Sequence, residues 1–147
     1  MNPNSMNQAG IDMLCQLEGY KSMPYLCPVG KWTIGIGTTI LPDGKSVTIS
    51  TPRITKEIAL QYAQSYLTQI YEWIAKNCKW QMTQGNFNAL CSFLYNTGIG
   101  SKFNAYVNTK EAIISGDKPN IIKGMQSVNN GGLLTKRREI EIQMFNT

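Results

Sequence analysis

The chain has 147 residues, of which 42% are hydrophobic and 16% charged, with a formal net charge of +5. That length matches one domain, and that balance excludes the low-hydrophobicity composition of disordered chains and the repetitive composition of collagens and coiled coils. The absence of histidine excludes Ser-His-Asp and Cys-His nucleophilic chemistry and removes the commonest ligand of catalytic zinc, so proton transfer falls to carboxylates or other groups.

The first ten residues, MNPNSMNQAG, hold no apolar segment of the signal-peptide kind. Apolar runs elsewhere fall far short of the roughly 18 residues that span a bilayer. The expectation is a chain that neither inserts stably into a membrane nor exports itself. Cys15, Cys27, Cys78 and Cys91 form no C-x-x-C pair, which argues against a zinc ribbon or a redox motif; without a signal peptide reduced thiols are expected, with disulfide pairing outside the cell as the alternative. The Lys and Arg residues are dispersed, with Lys136-Arg137-Arg138 the one run, so no nucleic-acid partner is indicated.

Taken in chain order, residues 6–18 are predicted helical, with Asn7 or Ser5 as cap, Ile11, Leu14 and Cys15 on one face, and Gly19 as the stop. WTIGIG at 32–37 is strand-forming but interrupted by glycine, and ILPDGKSVTI places a Pro-Asp-Gly turn between two β-branched runs, which predicts a small hairpin or meander. The character changes at about residue 52. Thr55 caps a predicted long helix to about Ala75, with Ile58, Tyr62, Ser65, Tyr66, Gln69, Ile70 and Trp73 at near-helical spacing. Thr83 precedes a helix bearing Phe87, Leu90, Cys91, Leu94 and Tyr95, closed by a left-handed Gly98. Further helices are predicted over 104–115, ended by Gly116; from Pro119 to about Ser127; and over 133–145 after the break at Asn129-Asn130-Gly131-Gly132. The fold class is α+β, mostly helical, with one small sheet near the N-terminus.

Two charged features stand out. Glu18 ends the first helix on its apolar face, where partial desolvation favours the protonated carboxyl that a general acid needs; a solvent-facing or salt-bridged Glu is the alternative. In the last helix Leu133, Leu134, Arg137, Glu141, Met144 and Phe145 share one side at 100° per residue. Arg137 and Glu141 therefore form an i, i+4 pair inside an apolar stripe, either as a buried pair or as a surface pair on the helix edge.

The segment EGYKSMPYLCPVGKWTIGIG spaces Glu18, eight residues, Cys27, five residues and Thr33. This spacing resembles the phage-type lysozymes, the endolysins of glycoside hydrolase family 24, whose pattern is Glu, eight residues, Asp or Cys, five residues and Thr. QGNFNALCSFLYNTGIGSKF is similar to that family's central helix and following loop, and GGLLTKRREIEIQMF to its closing helix. The resemblance implies a single lysozyme-like domain over 1–147, with an N-terminal helix and small sheet lobe (1–52) and a helical lobe (53–147) around a saccharide cleft. It further implies hydrolysis of the β-1,4 bond between N-acetylmuramic acid and N-acetylglucosamine in peptidoglycan. Glu18 matches the general acid, Cys27 the second catalytic position and Thr33 the residue that helps hold the attacking water. Arg137 matches an arginine that pairs with the catalytic Glu, and Thr39, Tyr95 and Asn96 match saccharide-lining positions. No metal or organic cofactor is implied. A monomer is expected, acting on peptidoglycan glycan strands, accumulating in the host cytoplasm and reaching the wall through a holin or other membrane lesion. A lytic transglycosylase and a non-catalytic peptidoglycan-binding module are the alternatives.

Overall fold

The computed structural model describes residues 1–147 as seven helices and one two-stranded antiparallel sheet. The chain divides into two compact units, one comprising Asp12–Thr68 and the other Met1–Ile11 with Gln69–Thr147. No helix is long and apolar enough to cross a membrane.

Helix α1 spans Gln8–Glu18. Of the two candidate caps the structure uses Asn7, whose Oδ1 accepts from the Gly10 amide at 3.1 Å, satisfying a helix-end N–H that has no partner within the helix. The chain leaves α1 at Gly19, whose φ of 69° suits a residue without a Cβ. Strand β1 (Lys21–Leu26) follows and pairs with β2 (Trp32–Gly35), Tyr25 opposite Thr33. The register is irregular between Lys21 and Tyr25, the stretch that contains Pro24, which has no N–H to give to a ladder. After β2 the chain reverses through Gly35 and Gly37, both at positive φ, so that Ile34 and Thr38 exchange backbone hydrogen bonds of 2.9 and 3.0 Å. A Cβ on Gly35 would also lie 3.1 Å from both Ala59 Cβ and Ile54 Cδ1.

The expected hairpin at ILPDGKSVTI is reduced to its turn. Gly44 donates to the Leu41 carbonyl and Asp43 accepts from the Lys45 amide, but the flanking strands shrink to the single bridge Ile40↔Ser46. Val47 is buried whereas Ile40 and Ile49 are exposed, too little apolar burial to hold a longer ladder.

Helix α2 (Lys56–Asn77) begins as expected, with Thr55 Oγ1 accepting from the Ile58 amide. Its buried face differs from the predicted one. Ala59, Ala63, Leu67, Ile70 and Ile74 are buried while Ile58 is exposed, because small alanines permit an approach that bulkier side chains would block.

Helix α3 (Gln84–Thr97) starts at a capping box in which Thr83 and Asn86 exchange side-chain to backbone hydrogen bonds of 3.0 Å. It is buried almost all round, as a core helix must be. Gly98 does follow it, with a positive φ of 79° but an extended ψ of 175° in place of the expected left-handed pair. The helix expected over 104–115 is α5 (Val107–Ser115), which starts three residues later, and a separate short helix, α4 (Ser101–Asn104), precedes it, the two broken at Tyr106 with ψ 63°. The short α4 turns Phe103 inward, edge-on to Trp73 at 5.5 Å. Gly116 is left-handed as expected, and a Cβ there would lie 2.4 Å from the Trp80 ring. Asp117 caps α6 (Lys118–Ser127), with Pro119 in its first turn. Helix α7 (Thr135–Phe145) packs on α3, and Asn86 Nδ2 donates to the Phe145 carbonyl at 2.6 Å. It starts two residues later than predicted because Leu133 and Leu134 lie in the preceding turn.

Candidate active site

Within the unit Asp12–Thr68, the β1–β2 turn brings Cys27 and Thr33 together. Cys27 follows β1 directly, and Gly30, at φ 78°, donates to the Cys27 carbonyl at 2.8 Å to close the turn. The Lys31 carbonyl accepts twice, from the Cys27 amide at 2.9 Å and from the buried Thr33 hydroxyl at 3.0 Å. Burial pushes the Cys27 thiol up, but the backbone N–H groups of Lys31 and Val29, together with the Thr33 hydroxyl, act on the sulfur and outweigh that effect, so the thiol lies below its ordinary range. A loop folded around a side-chain acceptor in this way favours the anion, for a thiolate as for a carboxylate.

The other three thiols lie in the opposite direction. Burial pushes up Cys15, aided by the Asp12 charge; it carries Cys78 to about 11 and Cys91 well above the ordinary value. All four are free. Limited iodoacetamide treatment at neutral pH should therefore label Cys27 first, with a rate–pH midpoint below that of an ordinary thiol, because the thiolate is the nucleophile. Peptide mapping by mass spectrometry reads the order; labelling of Cys78 or Cys91 ahead of Cys27 would contradict this electrostatic picture.

Glu18 is the last residue of α1 and is half-buried. Tyr25 lies near enough to feel the charges of both Glu18 and Cys27: burial first, then Glu18 and Cys27, push its phenol up. Lys21 Nζ sits 5.3 Å from its ring centroid. Tyr25 was not anticipated, although it stands two residues before Cys27. Thr39 is half-buried, and its carbonyl accepts from the Val47 amide.

In the other unit, Arg137, Arg138 and Glu141 form a buried ionic cluster on α7, which decides between the buried and surface readings of the Arg137–Glu141 pair. Glu141 is 0% exposed. Its Oε2 accepts from Arg137 Nε at 3.2 Å and from the Ser92 hydroxyl at 2.5 Å, and its Oε1 from Arg138 Nη1 at 2.7 Å. Arg137 Nη2 also donates to the Ser92 carbonyl at 3.0 Å. Arg138 was missed by sequence reasoning, although it stands four residues after Leu134 and three and seven before Glu141 and Phe145, the spacing of one helix face. Its guanidinium donates to the Val128 carbonyl at 2.7 Å and to Asn96 Oδ1 at 2.6 Å, and lies 4.7 Å from the Phe93 ring centroid. Burial holds Arg138 below the ordinary arginine value, partly offset by the Glu141 charge. Tyr95 is 7% exposed, whereas Asn96 is half-buried.

These residues lie within a chain that known proteins resemble over most of its length. The phage lysozyme family model matches residues 15–141. The SAR-endolysin of Escherichia phage P1 is 33% identical over 101 residues, covering 65% of this chain and 49% of that protein, so the chain spans about half its length. The endolysin of Acyrthosiphon pisum secondary endosymbiont phage 1 is 26% identical over 149 residues, covering 95% of this chain and 97% of that protein. Among solved structures, the endolysin from Escherichia coli O157:H7 phage FAHEc1 is 28% identical with a TM-score of 0.70, covering 96% of this chain and 92% of that one. The matched stretch includes Glu18, Cys27, Thr33 and the buried cluster on α7, and the helical architecture with its small sheet agrees, so this chain belongs to the phage lysozyme family.

Proposed function

We propose that this chain is a peptidoglycan-degrading muramidase that hydrolyses the β-1,4 bond between N-acetylmuramic acid and N-acetylglucosamine, with Glu18 as general acid. The observation that carries the reading is the Cys27 sulfur, held toward thiolate by the Lys31 and Val29 amides beside the Thr33 hydroxyl. A sulfur whose thiolate is favoured in this way, next to a hydroxyl, suits a water molecule, which it can orient and deprotonate. Glu18 protonates the leaving glycosidic oxygen as positive charge develops on the sugar; Thr33 and Cys27 hold the water that attacks from the opposite face, and Cys27 takes its proton. Arg137 supplies catalytic support, and Thr39, Tyr95 and Asn96 contact saccharide. The enzyme acts on the cell wall as a monomer, from the host cytoplasm through a holin or other membrane lesion. The family membership and the endolysin relatives support the wall as target.

The test is digestion of purified peptidoglycan, with mass spectrometry of the products and NMR of the first anomer released. Water attack from the opposite face inverts the anomeric centre, so reducing-end muramic acid should appear first as the α-anomer. First release of the β-anomer would make Cys27 a nucleophile and overturn its role as base. Anhydro-muramic ends or no cleavage would sink the hydrolase reading itself.

A further inference from the structure

The Arg138–Asn96 contact has a chemical direction. A guanidinium has five N–H donors and no acceptor, so the Asn96 atom facing it at 2.6 Å is the carbonyl oxygen Oδ1. Arg138 is held in that geometry, because it is 1% exposed, its Nε and Nη1 donate to the Val128 carbonyl and Glu141, and its Cζ lies 4.7 Å from the Phe93 ring centroid. With Oδ1 fixed, the Asn96 amide cannot flip. Its remaining polar end is Nδ2, a pure donor, which makes no hydrogen bond to the protein, on a half-buried residue at the end of α3. Free asparagines present either an acceptor or a donor; this one presents a donor only.

We infer that Arg138 is a positioning residue that locks Asn96 as a hydrogen-bond donor to the acetamide carbonyl oxygen of the saccharide, a group that can only accept. The inference rests on the muramidase reading and deepens it by assigning polarity to one subsite. The discriminating variant is Asn96→Asp. A carboxylate oxygen still accepts from Arg138, as a charge-assisted pair, so the fold is retained. The atom in the place of Nδ2 becomes an acceptor, which repels the acceptor oxygen on the sugar.

The experiment measures kcat and KM on peptidoglycan, Kd for N-acetylglucosamine oligomers carrying a 13C label at the acetamide carbonyl, and thermal unfolding, for the wild type and two variants. Asn96→Asp should raise KM and Kd about tenfold or more, with kcat within about twofold and an unfolding temperature equal to or above that of the wild type. A purely structural Asn96 would leave KM and Kd in place. Arg138→Lys keeps a buried cation for Glu141 but cannot reach Glu141, Val128 and Asn96 at once. It should raise KM by a similar factor, and the double variant should show no further rise. The labelled carbonyl resonance should shift on binding the wild type but not Asn96→Asp; an equal shift with both would overturn the inference. Wild-type KM and Kd in Asn96→Asp, alongside a wild-type protein that cleaves peptidoglycan, would overturn this inference alone. A wild type that neither binds nor cleaves would overturn the muramidase reading with it.

Discussion

Replacing Glu18 by Gln should lower peptidoglycan cleavage by a factor of about a thousand or more, a loss within the range a positioned general acid contributes. The amide is nearly isosteric with the carboxyl, and the residue is half-buried at the end of α1, so the fold should survive. The variant keeps its shape but has no acidic proton to deliver to the glycosidic oxygen. Release of soluble muropeptides from purified walls gives the rate, and circular dichroism with an unfolding curve verifies the fold. Lysis at the wild-type rate by a folded Glu18→Gln protein would remove Glu18 from the mechanism and leave the resemblance of spacing without a catalytic meaning.

The largest effect on stability is expected at Glu141. Two guanidiniums converge on this one fully buried carboxylate, with the Ser92 hydroxyl filling a further lone pair. Glu141→Leu removes the anion and leaves Arg137 and Arg138 side by side in the interior, where like charges and missing hydrogen bonds both oppose folding. Breaking a buried pair by removing one partner costs about 3–5 kcal/mol, which in a chain of this length corresponds to a fall of roughly 10 °C or more in Tm. Urea unfolding of the wild type and the variant, with matching slopes, measures it. A change under about 1 kcal/mol would mean that the two cations find other partners and that α7 does not depend on this carboxylate.

The features legible in the sequence are those decided locally. Asn7, Thr55 and Thr83 all accept from helix-end amides, because a side-chain oxygen beside the first turn acts whatever lies further away. Gly19 and Gly116 end helices for an equally local reason, the freedom of glycine at positive φ. Strand β1 was not legible: Pro24 lacks the N–H of a ladder residue, and the exposed Met23 and Leu26 spoil any alternation of apolar and polar positions. The buried face of α2 eluded a reading that follows the bulkier residues, because Ala59 and Ala63 are buried by being small. The break between α4 and α5 has no glycine or proline to announce it.

The candidate site divides in the same way. The spacing of Glu18, Cys27 and Thr33 is written in the chain, and so is the Arg137–Glu141 pair. What surrounds them is not: the amides of Val29 and Lys31 that act on the Cys27 sulfur are backbone groups shared by every sequence, and only the turn that Gly30 closes aims them. Arg138 is invisible for the opposite reason, since a long cationic side chain is ordinarily a surface residue, and only the facing Glu141, Asn96 and Val128 carbonyl make its burial tolerable.

Thr33 has a single hydroxyl proton and two acceptors within reach, the Lys31 carbonyl and the Cys27 sulfur. While Cys27 is a thiol, its S–H can point at the Thr33 oxygen and the hydroxyl proton stays on Lys31; once the sulfur is anionic, the same proton swings onto it. The swing is a rotation about one side-chain bond. The turn holding these groups is tied by its own backbone bonds from Cys27 to Lys31 and from Gly30 to Cys27, and neither depends on where that proton lies. In the mechanism proposed above, the sulfur would thus gain and lose its charge with these backbone bonds unchanged.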